Sequence, residues 1–396
     1  MIDTLLRGIP YYIIFIILFI IYKKYNIVLY YLKNSAIRGH FLSETAYERH
    51  RKRLLIYAYI VLLLFFGFRG YVYTDFINYK PFFDKLDVYN LQDVMSTYGW
   101  EHGFIIYAAL CKMIIPDYFA WNVISSAIDF FLLYKVFERY SNNHILSLMT
   151  FFVIGSTALE FNVLRNAKAI FLFLYALKYI EERNKWKYFS IISIACFFHT
   201  SSIIYFPLYF ILHKKWSKWV LWCIYIGGAL IMFLHIGIVS DIVSRISFAE
   251  DSRIEHLVGY LDESTSYFSL YGNIERFVTM FIVIMLYNKL AKHSNNYMFV
   301  NMYILLYASF TVCSESNVMV QRFQYMFIAS FWILYPLLLE YAKLHKNQIV
   351  YLCITALLFM KLSVIAGDPN LKYENVLTGV SNYTERVIYT ERNLSK

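Results

Sequence analysis

Charge is the first thing this sequence lacks. Only 16% of its 396 residues are Asp, Glu, Lys or Arg, whereas 59% are hydrophobic and 20% aromatic. A soluble domain could not hide that much apolar surface, so the class is a polytopic membrane protein. Cysteine is sparse as well. The five present (Cys111, Cys196, Cys223, Cys313, Cys353) lie in apolar runs without CxxC or Cys/His spacing, which indicates neither a metal site nor a disulfide framework. There is no Gly-rich phosphate loop, no DxD pair on a soluble domain, and no Walker or Rossmann fingerprint. These absences argue against an enzyme that consumes ATP or a nucleotide sugar, and a substrate should arrive from the membrane or the outer compartment. With neither an internal repeat nor a low-complexity linker, one integral membrane domain over residues 1–396 is the simplest count.

What is present is a succession of apolar runs. Roughly 17–25 apolar residues can cross the hydrocarbon as a helix, because helical backbone satisfies its own hydrogen bonds where no water can. The runs are continuous rather than alternating, which disfavours a β-barrel. The expectation is an all-α fold of about 10–12 membrane segments. Its spans are read at 9–22, 54–68, 119–137, 145–159, 167–179, 219–239, 274–290, 297–313, 323–339 and 349–365. The first lacks a small-residue cleavage site and is followed by Lys23 and Lys24, so it reads as a retained helix. Residues 104–115 are too short to span and read as an interfacial or half-inserted helix ending at Pro116-Asp117.

The formal net charge of +10 is concentrated in particular hydrophilic segments, which reads as topology rather than nucleic-acid binding. Residues 22–53 carry eight Lys or Arg against Glu44 and Glu48, and the positive-inside rule places them in the cytoplasm. Two acidic loops, at about 69–103 and 240–273, then face outward, and the stretch SFAEDSRIEHLVGYL in the second can be helical. Residues 188–212 must enter and leave on one side, as two short helices broken near His199–Ser202. Abundant Tyr, Phe, Ile, Asn and Lys fit an AT-rich bacterial genome.

Ionisable groups at or within a membrane cost several kcal/mol unless paired or hydrated, which makes each a functional candidate. Here they are Arg69 and Asp75; Glu101 in Tyr98-Gly99-Trp100-Glu101-His102-Gly103-Phe104; Arg165 in Asn162-Val163-Leu164-Arg165; His199 before Thr200, Ser201 and Ser202; and Arg322 before Phe323. Three arginines beside carboxylates would suit a diphosphate, since guanidinium binds phosphate through paired donors and keeps its charge when partly buried. A carboxylate could take a proton from a sugar hydroxyl. The competing reading is that Arg69 and Arg322 snorkel to headgroups, that Asp75 and Glu101 cap loops, and that His199 is a hydrogen-bonded packing residue.

The order of these motifs resembles the EpsG family of bacterial polysaccharide polymerases, akin in role to Wzy O-antigen polymerases. The likeness runs through Arg69 with Thr74-Asp75 and the aromatic stretch to Phe83, Glu101-x-Gly103-Phe104, Arg165 opening a helix that ends Ala176-Leu177-Lys178-Tyr179-Ile180, Phe198-His199-x-Ser201 leading to Pro207, Arg322-Phe323, and Pro369 to Leu377. Family members often carry Arg-Gln where this chain has Arg165-Asn166, and Glu-Pro-Gly where it has Glu101-His102-Gly103. The resemblance implies a GT-C-like glycosyltransferase of the bacterial cytoplasmic membrane, its active site facing outward. Such an enzyme joins undecaprenyl-diphosphate-linked repeat units into O-antigen, capsule or exopolysaccharide without metal or cofactor. It further implies Arg165 and Arg322 on the diphosphate with Arg69 assisting, Asp75 or Glu101 as base, and His199 orienting a hydroxyl or diphosphate oxygen. Implied partners are the lipid-linked donor and acceptor, membrane lipid, a flippase and a chain-length regulator, with no nucleic acid. Other readings of the same residues are a lipid-linked glycosyltransferase or ligase, or a flippase for the repeat unit. A membrane O-acyltransferase would need a polar partner on a facing helix that the sequence does not supply.

Overall fold

The structure, a computed structural model, describes residues 2–38, 41–246, 270–290 and 296–394. It is 81% helical, with 19 α-helices and no strands among the described residues, and the chain is an all-α polytopic membrane protein. Helices α1 (Ile2–Arg38) and α2 (Phe41–Phe66) carry the basic segment that the sequence suggested was a loop. Among the described residues, three helices are long and apolar enough to cross a membrane: Leu6–Lys33 within α1, α6 (Tyr118–Tyr140) and α18 (Gln348–Gly367). A fourth span results if α16 (Asn317–Phe327) and α17 (Ala329–Leu344), bent by 61°, count as one. The expected 10–12 segments are not all long spans, because several apolar runs are broken into short helices.

The breaks have local causes. The run at 145–159 is two helices, α7 (His144–Val153) and α8 (Ser156–Phe161). Between them Gly155 takes φ 96°, a left-handed conformation that no side chain would readily adopt. The run at 219–239 likewise stops at α12 (Lys218–Phe233) and restarts at α13 (Ile238–Ile246), with His235 at φ 51° between them. The acidic stretch 247–261 lies outside the described residues, as does most of the second proposed outward loop.

The chain divides into two compact units, Met1–Pro207 with Leu358–Lys396, and Leu208–Leu357. In the first unit, the proposed loop at 69–103 contains α3 (Phe76–Lys85) and α4 (Leu91–Tyr98), and is followed by α5 (His102–Ile114). These helices form an aromatic core: Phe82, Phe83 and Phe104 are buried around Trp121 of α6, with Phe83 stacked on it at 4.8 Å. Lys112 of α5 donates to the carbonyls of Phe83, Asp84 and Leu86 at 2.7–2.9 Å. It supplies the partners that the C-terminal turn of α3 lacks.

Helix α9 (Leu164–Glu181) packs on α6 and on α10 (Lys185–Phe198). Its Lys168 forms a fully buried ion pair with Asp129 of α6 and donates to the Ser125 carbonyl. In the second unit, Asn301 of α15 (Tyr297–Val312) donates to the Leu212 and Lys214 carbonyls. Glu315 accepts from the Val239 and Ser240 backbone at the start of α13.

Candidate active site

The first unit brings four of the six candidate residues into one cluster. Each stands at or near a helix end, where backbone groups are unsatisfied and side chains are free to turn away from the helix axis. Glu101 is the N-cap of α5, yet it makes no capping bond to its own helix. Its Oε2 accepts from Arg165 Nη1 at 2.8 Å, and its Oε1 accepts from His199 Nδ1 at 2.7 Å and from the Thr200 backbone N–H at 3.2 Å. Arg165 lies in the first turn of α9, and its guanidinium stands 4.8 Å over the Trp100 ring. His199 is the extended residue at which α10 ends and a 3-10 turn, Thr200–Tyr205, begins. The expected helix break near His199–Ser202 is therefore present.

Gly103 permits this meeting. A Cβ on it would lie 2.7 Å from both the Cβ and the carbonyl oxygen of Phe197. Only a residue without a side chain lets α5 approach the end of α10 so closely, and that approach carries Glu101 to His199.

Asp75 enters from the other side. It precedes α3 and its carboxyl caps nothing. Its backbone N–H and the Thr74 hydroxyl both donate to Asn162 Oδ1 at 2.8 Å. Burial pushes its carboxyl up from 3.8 to about 7, against the opposing pull of Arg165. Tyr79, one turn along α3, is an electrostatic neighbour of both Asp75 and Arg165. Glu101 behaves in the opposite way. Burial pushes it up, but the His199 hydrogen bond and the Arg165 charge outweigh that and hold it at about 2. One carboxyl is thus permanently ionised and fully engaged, while the other is poised to exchange a proton near neutral pH.

The remaining two candidates have other surroundings. Arg69 is only 3% exposed. Its Nη1 donates to the Phe66 carbonyl at 2.7 Å and Ser126 Oγ at 3.3 Å, and its Nη2 to Asn122 Oδ1 at 3.0 Å. Ser126 in turn donates to the buried Glu160. This is a strut between the end of α2 and the side of α6, which sequence alone could not distinguish from a snorkelling or substrate-binding arginine. Arg322 belongs to the second unit, where it is exposed on α16.

Sequence reasoning missed Asn162, Tyr79, Trp100 and the role of Gly103. Asn162 carried a usable signal, since it lies three residues before Arg165 in a break between apolar helices. The buried pair Asp129–Lys168 carried one too, because Asp129 is the single acidic residue of an otherwise apolar run. Among the described residues, no group of His, Cys, Asp and Glu could hold a metal ion.

The sequence pattern of the EpsG family matches residues 52–375, a span that contains all six candidates. The chain belongs to the EpsG family. For this EpsG protein, membership carries a polysaccharide polymerase-like, glycosyltransferase-like role in the membrane. No curated protein and no solved structure matches it. The matched span ends at residue 375, before the last helix, α19 (Tyr383–Leu394).

Proposed function

We propose that this EpsG protein joins undecaprenyl-diphosphate-linked oligosaccharide repeat units into a surface polysaccharide at the outer face of the bacterial cytoplasmic membrane. The observation that carries the reading is the division of labour between two carboxyls around one arginine. The Asp75 carboxyl caps nothing and is poised near neutrality, while Glu101 is ionised and ties Arg165 to His199.

In this reading, a hydroxyl of the acceptor unit attacks the anomeric carbon of the donor and passes its proton to Asp75. The bond between that carbon and the diphosphate oxygen breaks, and the lipid diphosphate leaves with the electron pair. Arg165 meets the charge that develops on it, and the Nε2 edge of His199 can accept from a sugar hydroxyl and orient it. The fixed Nδ1 contact with Glu101 sets the ring's orientation, as an orienting carboxylate does in other carboxylate–histidine pairs. Arg69 is assigned to holding the loop rather than to the diphosphate. The lipid-linked donor and acceptor, a flippase and a chain-length regulator are the partners this chemistry calls for.

The test is deletion of the gene in its native strain, with rescue by wild type, Asp75→Asn or Arg165→Ala at matched membrane levels, read as glycan on a gel. A ladder that collapses to a single repeat unit, and that neither variant restores, supports the proposal. Full rescue by Asp75→Asn removes Asp75 as the base. Loss of the repeat unit itself from the outer face would make transport the better account.

A further inference from the structure

The C-terminal segment folds back along the connection that carries Asp75. Its backbone accepts from Gly70 N at Glu374 O (2.8 Å) and from Tyr73 N at Asn370 O (3.1 Å), while Val376 N donates to Phe68 O at 2.8 Å. Asn375 forms an antiparallel bridge with Arg69. The same segment supplies donors to the last turn of α2: Tyr373 Oη reaches the Phe65 carbonyl and Asn375 Nδ2 the Leu64 carbonyl, at 2.8 and 2.9 Å. The Tyr373 ring stacks on Phe65 with 4.2 Å between centroids.

Helix α19 then locks this strap. Arg386 is 2% exposed, donates to the Lys372 carbonyl at 2.7 Å and faces Glu374 at 3.8 Å. Tyr383 Oη donates to the Ile77 carbonyl in the first turn of α3, at 3.1 Å.

The residue held by this strap is conformationally unusual. Tyr73, two positions before Asp75, has φ 68°. A bulky residue persists in that region only where its surroundings over-determine it, and here its N–H is bound by Asn370. A tail that merely covered the fold would pack side chains on helix surfaces. This one pairs its backbone with the segment leading into Asp75.

We propose that residues 368–394, whose helix lies wholly beyond the span shared with the family, form a positioning element of the active site: they hold Tyr73 in its left-handed turn and so aim the Asp75 carboxyl. The proposal rests on Asp75 acting as the base, as argued above. The charged and titratable groups around Asp75 are Arg165 from α9, Tyr118 from α6, Tyr79 on its own helix, and Tyr73 beside it.

The test uses the full chain in native membranes, with Arg386→Met, Arg386→Lys, Tyr383→Phe and, separately, Asp75→Asn, scored for polymer formation against pH at matched protein levels. Misplacement of a reacting group by about an ångström can cost about a hundredfold. We expect Arg386→Met to lower activity by about ten- to a hundredfold, and Tyr383→Phe by less. In both, the acid limb of the pH profile moves to lower pH as Asp75 gains water, and Arg386→Lys restores part of the activity and of the limb. An unchanged rate in Arg386→Met and Tyr383→Phe overturns the proposal, as does a loss of rate with the acid limb unmoved. If Arg386→Met fails to insert, Tyr383→Phe decides by the same criteria. An active Asp75→Asn variant would instead sink the base assignment, an outcome distinct from failure of the strap.

Discussion

Asp75 and Glu101 are both carboxyls of the same short stretch of chain, and their surroundings drive them in opposite directions. As the proposed base, Asp75 would act only when ionised. Because burial raises its carboxyl to about 7, polymer formation should fall as pH drops through neutrality, on a limb well above the ordinary carboxylate range. In Asp75→Asn that limb should vanish together with about 10²–10⁴ of the rate, the usual contribution of a positioned base. An in vitro assay on membranes over pH 5 to 9 reads both effects; a limb unchanged in Asp75→Asn would assign it to another group.

Glu101→Gln makes a different prediction. The amide keeps the shape but removes the charge that faces Arg165 and His199, and charge-assisted hydrogen bonds contribute about 1.5–3 kcal/mol each. Activity should drop by about tenfold or more while the Asp75 limb persists, because in the proposed mechanism Glu101 orients its neighbours and does not exchange the proton. Loss of the limb in this variant would reverse the two roles. Which carboxyl is raised and which is held low was not legible in the sequence, since that depends on the neighbours each one meets. Asn162, Arg165 and His199 are remote from both in the chain.

At the scale of elements, the site is a meeting of helix ends. The ends themselves were largely readable: the break at His199 and the short helix after Glu101 follow from punctuation in the apolar runs, and the arginine opening α9 from the family resemblance. Their closeness was not readable, because it depends on how near α5 can come to α10. Gly103 sets that distance. Gly103→Ala places a methyl 2.7 Å from Phe197, and relieving such overpacking costs about 1–3 kcal/mol. The variant should insert normally yet lose most of its polymer-forming activity, as Glu101 moves off His199. Comparison of membrane abundance with glycan ladder checks this; a fully active Gly103→Ala would mean that the contact between Glu101 and His199 is dispensable. Arg69 shows the converse limit of sequence reading. Asn122 and Ser126 look like incidental polar residues of a span, so nothing in the sequence announced that they would bury an arginine between them.

At the scale of the whole molecule, composition settled the all-α membrane class, while among the described residues three or four of the apolar segments form single long spans. A run of apolar residues reports burial in lipid or protein but not continuity of the helix, and Gly155 and His235 interrupt runs that hydropathy alone would count as single spans. The orientation is the part that remains a prediction. Tyr89, between α3 and α4, is 96% exposed. A Tyr89→Cys variant, made with the five native cysteines replaced by alanine, should react with a membrane-impermeant maleimide in intact cells. Labelling only after the cells are opened would invert the topology and put the site in the cytoplasm.

The unit that holds the site is not continuous in the chain: Met1–Pro207 is completed by Leu358–Lys396, with Leu208–Leu357 between. The join is direct, since the Tyr11 hydroxyl of α1 donates to the Leu371 carbonyl at 2.8 Å. At roughly 5–20 residues per second, the ribosome needs on the order of ten to thirty seconds to make the intervening stretch. Throughout that interval every residue of the Asp75–Glu101–Arg165–His199 cluster has been made, but not the segment that pairs with residues 68–73. Under the proposed function, the site would therefore be completed only after the whole intervening unit has been made.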